Sequence, residues 1–99
     1  MTVEVWLMSM VFEVRDYDRR RIRLTEVQWL HIVFFHPEVE SEQVKIREVL
    51  KNPEVVVEGA AKDTRICYRF YKSTPVASKY LAVVAKVSDK EGFIITGYF

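Results

Sequence analysis

Beyond Asn52-Pro53 the apolar residues of this chain recur at a period of two, and that change of rhythm restricts its second half to strands that bury one face. Alternation runs through Glu54 to Glu58, Thr64 to Lys72, Lys79 to Val87 and Gly92 to Tyr98. Turn-forming clusters at Gly59-Asp63, Ser73-Ser78 and Ser88-Gly92 separate them. Connections this short join antiparallel neighbours, so the expectation is a four-stranded antiparallel meander.

The first half reads differently. Val3 to Arg15 is rich in Val, Trp, Met and Phe; Asp16-Tyr-Asp18 breaks the run, and Arg20 to Leu24 follows, which predicts a β-hairpin. Thr25 with Gln28 fits a capping box, predicting a helix from about Glu26 to Phe35, with Pro37 either ending it or opening the next one. Val39, Gln43, Ile46, Val49 and Leu50 give a second segment one apolar stripe, closed by Asn52-Pro53. The fold class is therefore α+β: an N-terminal β-hairpin, two helices, then a four-stranded antiparallel sheet with the helices on one face. Trp29, Ile32 and His36 share one side of the first helix and Val27, Leu30, Val33 and Phe34 another, so both sides need cover. The second helix, the hairpin or another chain can supply it, and a homodimer through the first helix is one expectation.

Ninety-nine residues, 49% of them apolar, suffice for one domain spanning residues 1–99 without metal or disulfide staples. A net charge of +1 excludes a chain that coats nucleic acid by charge alone, so any basic surface is local. The single Cys67 cannot form an intramolecular disulfide and reads as a buried thiol, in keeping with a cytoplasmic protein. The apolar run Val5 to Phe12, closed by Glu4 and Glu13, is too short for a membrane span and wrongly flanked for a signal peptide. There is no glycine-rich phosphate loop and no Cys-x-x-Cys; His31 and His36 are five apart and diverge by about 140° on a helix, so neither metal nor cofactor is expected.

Parity along the last three strands divides their side chains. Ile66, Tyr68 and Phe70, then Leu81, Val83, Ala85 and Val87, then Phe93 and Ile95 carry the parity of a buried face. The opposite parity gathers Arg65, Cys67, Arg69, Tyr71, Tyr80, Lys86, Thr96 and Tyr98. Cations beside tyrosines suit single-stranded RNA, because guanidinium and ammonium groups meet phosphate while rings stack on unpaired bases. A solvated sheet face accounts for the same residues. Arg19, Arg20, Arg21 and Arg23 are flanked by Asp16, Asp18 and Glu26, which favours a self-neutralised strand over a phosphate track.

Three segments carry a resemblance: Leu24-Thr-Glu with Trp29-Leu-His31-Ile32 and His36-Pro37-Glu38; a helix ending near Asn52-Pro53; and Tyr80 to Lys86 with Gly92-Phe-Ile-Ile-Thr96-Gly-Tyr98. Over roughly Ile22 to Phe99 the chain resembles small phage- and prokaryote-borne members of the barnase, EndoU, colicin and RelE-like ribonuclease superfamily. The resemblance implies metal-independent cleavage of RNA, often by the toxin of a toxin–antitoxin or phage conflict system with an antitoxin protein as partner. It also implies a site built from a polar residue on the first helix and polar residues on later strands. Here those are His31, Lys86 and Thr96 as catalytic groups, with Arg65, Arg69, Tyr71, Tyr80 and Tyr98 binding substrate. His31 would be base or acid for attack by the ribose 2′-hydroxyl, the arginines and Lys86 would hold phosphate, and His36 is structural. Helices pack on the apolar face, so His31 joins the strand residues only where its helix lies at the sheet's edge. Two other readings remain: a non-catalytic RNA- or protein-binding domain of the same fold, and a homodimeric scaffold.

Overall fold

The structure, a computed structural model, describes residues 9–99. Its elements are β1 (Met10–Arg15), β2 (Arg21–Thr25), α1 (Glu26–Phe35), a 3-10 turn (Pro37–Val39), α2 (Gln43–Lys51), β3 (Val55–Glu58), β4 (Thr64–Phe70), β5 (Tyr80–Val87) and β6 (Glu91–Tyr98). The part of the expected hairpin arm that precedes residue 9, with the first half of the Val5 to Phe12 run, lies outside the described residues. The fold is α+β, but the sheet has six strands in the order β1-β2-β6-β5-β4-β3 and is mixed, which corrects the expected four-stranded antiparallel sheet. The hairpin joins the meander through a parallel contact, Arg21 opposite Glu91, Ile22 opposite Gly92 and Arg23 opposite Phe93. Ile22 and Leu24 have no exposed surface. A two-stranded hairpin cannot bury such side chains alone, so it docks on the open edge of β6.

That docking is close. A Cβ on Gly92 would stand 2.6 Å from the Lys86 carbonyl oxygen and 2.8 Å from Ile22 Cδ1. Asp16 shapes the hairpin turn: its Oδ1 accepts from the N–H groups of Asp18 (2.9 Å) and Arg20 (2.8 Å), while Oδ2 pairs with Arg20 Nη1 at 3.2 Å. Arg19 takes a φ of 64° within this turn. The Tyr17 N–H donates to the Leu50 carbonyl at 2.9 Å and ties the turn to the last turn of α2.

Thr25 caps α1 as its sequence suggests, accepting from the Gln28 N–H at 3.2 Å. The other half of the capping box does not form. Gln28 Nε2 donates instead to the Ile95 carbonyl, on the stretch of β6 beyond the last paired residue, Phe93. A helix side chain thus satisfies a strand acceptor that β2 leaves free, and α1 packs along β6 and β2. The second segment divides into the 3-10 turn and α2, whose Ile46, Val49 and Leu50 are buried.

Both helices cover one face of the sheet. Beneath them lie Ile22, Leu24, Cys67, Leu81, Val83, Ala85 and Ile94, joined by Ile32 and Val39. The parity expected for β5 holds, and that for β4 is reversed. Cys67 pairs with Val83 and is 1% exposed, whereas Phe70 pairs with Tyr80 on the far side and is 46% exposed. In β6 the register shifts where β5 passes from Val84 to Ala85. Ile94 therefore takes the inward place expected for Phe93 and Ile95, and Phe93 stands 52% exposed.

Gly92→Ala is expected to lose roughly 1–3 kcal/mol in urea unfolding, the range for an overfilled site. Gly97→Ala serves as the comparison, because its Cβ would come no nearer than 3.6 Å to a neighbour. That change is expected to stay within about 0.5 kcal/mol.

Candidate functional site

No described element covers the second face of the sheet. Cross-strand pairing places on it Tyr68, Phe70, Tyr80, Val84, Lys86, Phe93, Thr96 and Tyr98, with Arg21 and Arg23 from β2. Thr96 lies opposite Val84, one same-face position from Lys86, and Tyr98 lies opposite Ala82, one same-face position from Tyr80. Diagonal neighbours of this kind stand about 7–8 Å apart, within reach of one phosphodiester unit. The Phe70 and Tyr80 rings meet edge to face at 5.6 Å between centroids.

At the Lys86 end this face deepens into a cleft of ≈ 510 Å³ lined by Arg23, Thr25, Asp63, Lys86, Ser88, Glu91 and Phe93. Charge there is unevenly spent. Glu91 Oε1 accepts from Arg21 Nη2 at 2.6 Å and Arg23 Nη2 at 2.7 Å, and Arg23 Nε stands 3.7 Å from Glu13. Both arginines are thereby matched by carboxylates, whereas Lys86 is exposed and makes no ion pair among the described residues. It is the cation that remains free to meet an anionic ligand in the cleft.

Of the residues predicted for the site, the open face brings together Lys86, Thr96, Tyr80 and Tyr98. Arg65, Arg69 and Tyr71 stand on the helix-bearing side. Arg65 pairs with buried Ala85 and its Nη1 donates to the Thr64 carbonyl at 3.0 Å. Arg69 Nη1 donates to the Asn52 carbonyl at 2.7 Å, and Tyr71 donates its hydroxyl to Glu48 at 2.5 Å. Arg69 and Tyr71 fasten β4 and its following residue to α2 and the residue after it, whereas the bond of Arg65 stays within its own strand. None of the three joins Lys86.

His31 is exposed on α1, its ring 4.8 Å from that of Phe35. The helix lies along the free edge of β6, with Gln28 on Ile95 near one end and the His36 ring 5.4 Å from the Tyr98 ring at the other. Ile32 points inward, 1% exposed, and Trp29 packs on the core. At about 100° per residue, Trp29 falls on one side of Ile32 while Gln28, Phe35 and His31 fall on the other. Thr25, which lines the cleft, and His36, whose ring meets that of Tyr98, fall on the Trp29 side, and the ring contact of His31 is with Phe35 rather than with an open-face residue.

Glu91, Phe93, Asp63 and Arg23 were not among the residues singled out for a site. Phe93 was hidden by the register shift in β6. The others converge only through pairings between distant segments. His36 also has a defined setting: its Nδ1 lies 3.7 Å from Glu38 Oε2 while the ring packs on Tyr98. Among the described residues no three His, Cys, Asp or Glu side chains are grouped to hold a metal ion, and no helix is long and apolar enough to cross a membrane.

Cys67 takes no part in the open face. Burial pushes its thiol from the ordinary 9.0 up to about 11, and Tyr71 is also raised, first by burial and then by its bond to Glu48 and that carboxylate's charge. The unfolded chain releases these protons at lower pH than the folded one. The stability they support is therefore full below pH 9.0 and declines as pH rises through 9.0 toward about 11. Urea midpoints are expected to fall across that window, and less steeply in Cys67→Ala; the native thiol should not react with a disulfide reagent at neutral pH until the protein unfolds.

Comparison with protein-family models, with curated proteins and with solved structures finds no match to this chain.

Proposed function

We propose that this chain is a metal-independent RNA endonuclease whose site lies where α1 meets the open face of the sheet. The observation that carries the reading is the open-face row of Lys86, Thr96 and Tyr98, with α1 held against the same strand through Gln28 and His36. The reading takes His31, exposed on α1, as the group that reaches substrate held on that row. Two-prime hydroxyl attack on the adjacent phosphate needs a group that takes a proton, a cation for the charge gathering on phosphate, and a proton for the leaving 5′-oxygen. His31 serves as the acid or base and solvent water carries the other proton, Lys86 meets the phosphate, and Thr96 donates a hydrogen bond to it. Phe93, Tyr80 and Tyr98 offer ring faces on which unpaired bases stack, which makes single-stranded RNA the substrate class. Arg65, Arg69 and Tyr71 have no direct contact with RNA in this arrangement. An enzyme of this kind suits the toxin of a toxin–antitoxin or phage conflict system, with an antitoxin protein restraining it.

A second reading rests on the aromatic face itself. Phe70, Tyr80, Phe93 and Tyr98 would hold single-stranded RNA without cutting it, and the same experiment separates the two. Purified protein is incubated with a mixed RNA panel in EDTA, and new ends are scored for 2′,3′-cyclic phosphate. Cleavage is expected from the wild type. His31→Ala should slow it by about 10²–10⁴-fold while keeping RNA affinity. Lys86→Ala should weaken both binding and cleavage, and Arg69→Ala should leave both near wild type. RNA binding without new ends would replace the nuclease with the binding platform; neither binding nor cleavage would end both readings.

A further inference from the structure

The outward stripe of α1 is apolar where a surface helix is ordinarily polar. Val27, Leu30 and Phe34 are 42, 68 and 79% exposed. At about 100° per residue they fall within roughly 60° of one another, directly opposite buried Ile32. Phe35, 60% exposed, borders the stripe and meets the edge of the Phe34 ring at 5.1 Å between centroids. The helix has one acidic residue, Glu26, in its first turn and no basic residue in its last. No charge interrupts the stripe.

Beside its N-terminal half lies a groove of ≈ 390 Å³ whose walls include Met10, Val11, Trp29 and Leu30. Near its C-terminal end stands the most exposed apolar side chain described, Phe34. Projection and recess therefore sit on the same helix, about one turn apart. We propose that α1 forms the seam of a two-fold homodimer, crossing its counterpart antiparallel. An axis through the level of Leu30 and His31 brings the Phe34 of each copy to the groove of the other and sets Leu30 against Leu30. A surface that carries both halves of a fit selects a second copy of itself, because one rotation satisfies both contacts and closes the assembly.

The area agrees in scale. A phenylalanine offers about 150–250 Å² on full burial. Phe34 and Phe35, with Leu30, Val27 and the groove rim, bring several hundred Å² per copy, the order of the ~800 Å² per partner of a standard interface. The seam also stiffens the candidate site, since Phe34 packs on Phe35 and Phe35 on His31. It does not depend on the nuclease reading, because it rests on the outward stripe alone.

Sedimentation equilibrium of the full chain over a concentration series tests it. The expected result is a mass twice 11.7 kDa at micromolar concentration. Phe34→Asp, at an exposed position, should keep the circular dichroism of the wild type and weaken association about 100-fold, as loss of a central aromatic anchor does. Leu30→Cys should give a disulfide-linked dimer on mild oxidation, a bond that Cys67, 1% exposed, cannot supply. A wild type that stays monomeric throughout, a Phe34→Asp protein that associates as tightly as the wild type, or a Leu30→Cys protein that does not cross-link would each overturn the seam.

Discussion

The parallel contact between β2 and β6 is the constraint on which the rest depends. It buries Ile22 and Leu24, which the hairpin could not cover by itself, and joins the N-terminal segment to the last strand. Because the pairing stops at Arg23 opposite Phe93, the remaining edge of β6 is left for a helix. Thr25 turns the chain into α1 at that point, and Gln28 occupies the carbonyl that a longer β2 would have used. The helix is consequently both part of the core cover and an edge element. Ile32 and Trp29 face the core, and Gln28 meets the strand edge.

Local signals in the sequence were read correctly where the physics is local. The limits of α1, Glu26 and Phe35, follow from a threonine cap and a proline two residues past the end. The later strands sit within two residues of where alternation and turn clusters put them. The six strands were legible but their union in one mixed sheet was not, because the β2–β6 contact joins segments with no shared local pattern. Parity in β4 was misread for a physical reason. Ile66, Tyr68 and Phe70 are the more apolar set, yet Cys67 is the residue that fits between Val83 and the helices. Arg65 and Arg69 can share the helix side because long aliphatic stems lie along apolar surface while their heads reach polar partners, here carbonyl groups and Glu48.

Of the candidate site, Lys86, Thr96, Tyr80 and Tyr98 were legible as a group because β5 parity was read correctly and the shift in β6 precedes Thr96. The arginines were not, since their placement followed from the reversed strand. The cleft adds a selection by charge that composition cannot reveal. A single carboxylate, Glu91, engages two of the nearby guanidinium groups, so among the described residues that line the cleft Lys86 is the cation left without an ion pair.

The same long-range pairing also orders events during synthesis. Arg21 and Glu91 are 70 positions apart, so the hairpin and α1 leave the ribosome long before β6 exists. Until it does, Ile22 and Leu24 have no sheet to lie against, Gln28 has no strand carbonyl, and Lys86 and Thr96 have no shared surface. Closing so large a loop is a late and slow step. The burial of Ile22 and Leu24 and the face that gathers Lys86 and Thr96 therefore share one late step, the pairing of β6 with both of its neighbours.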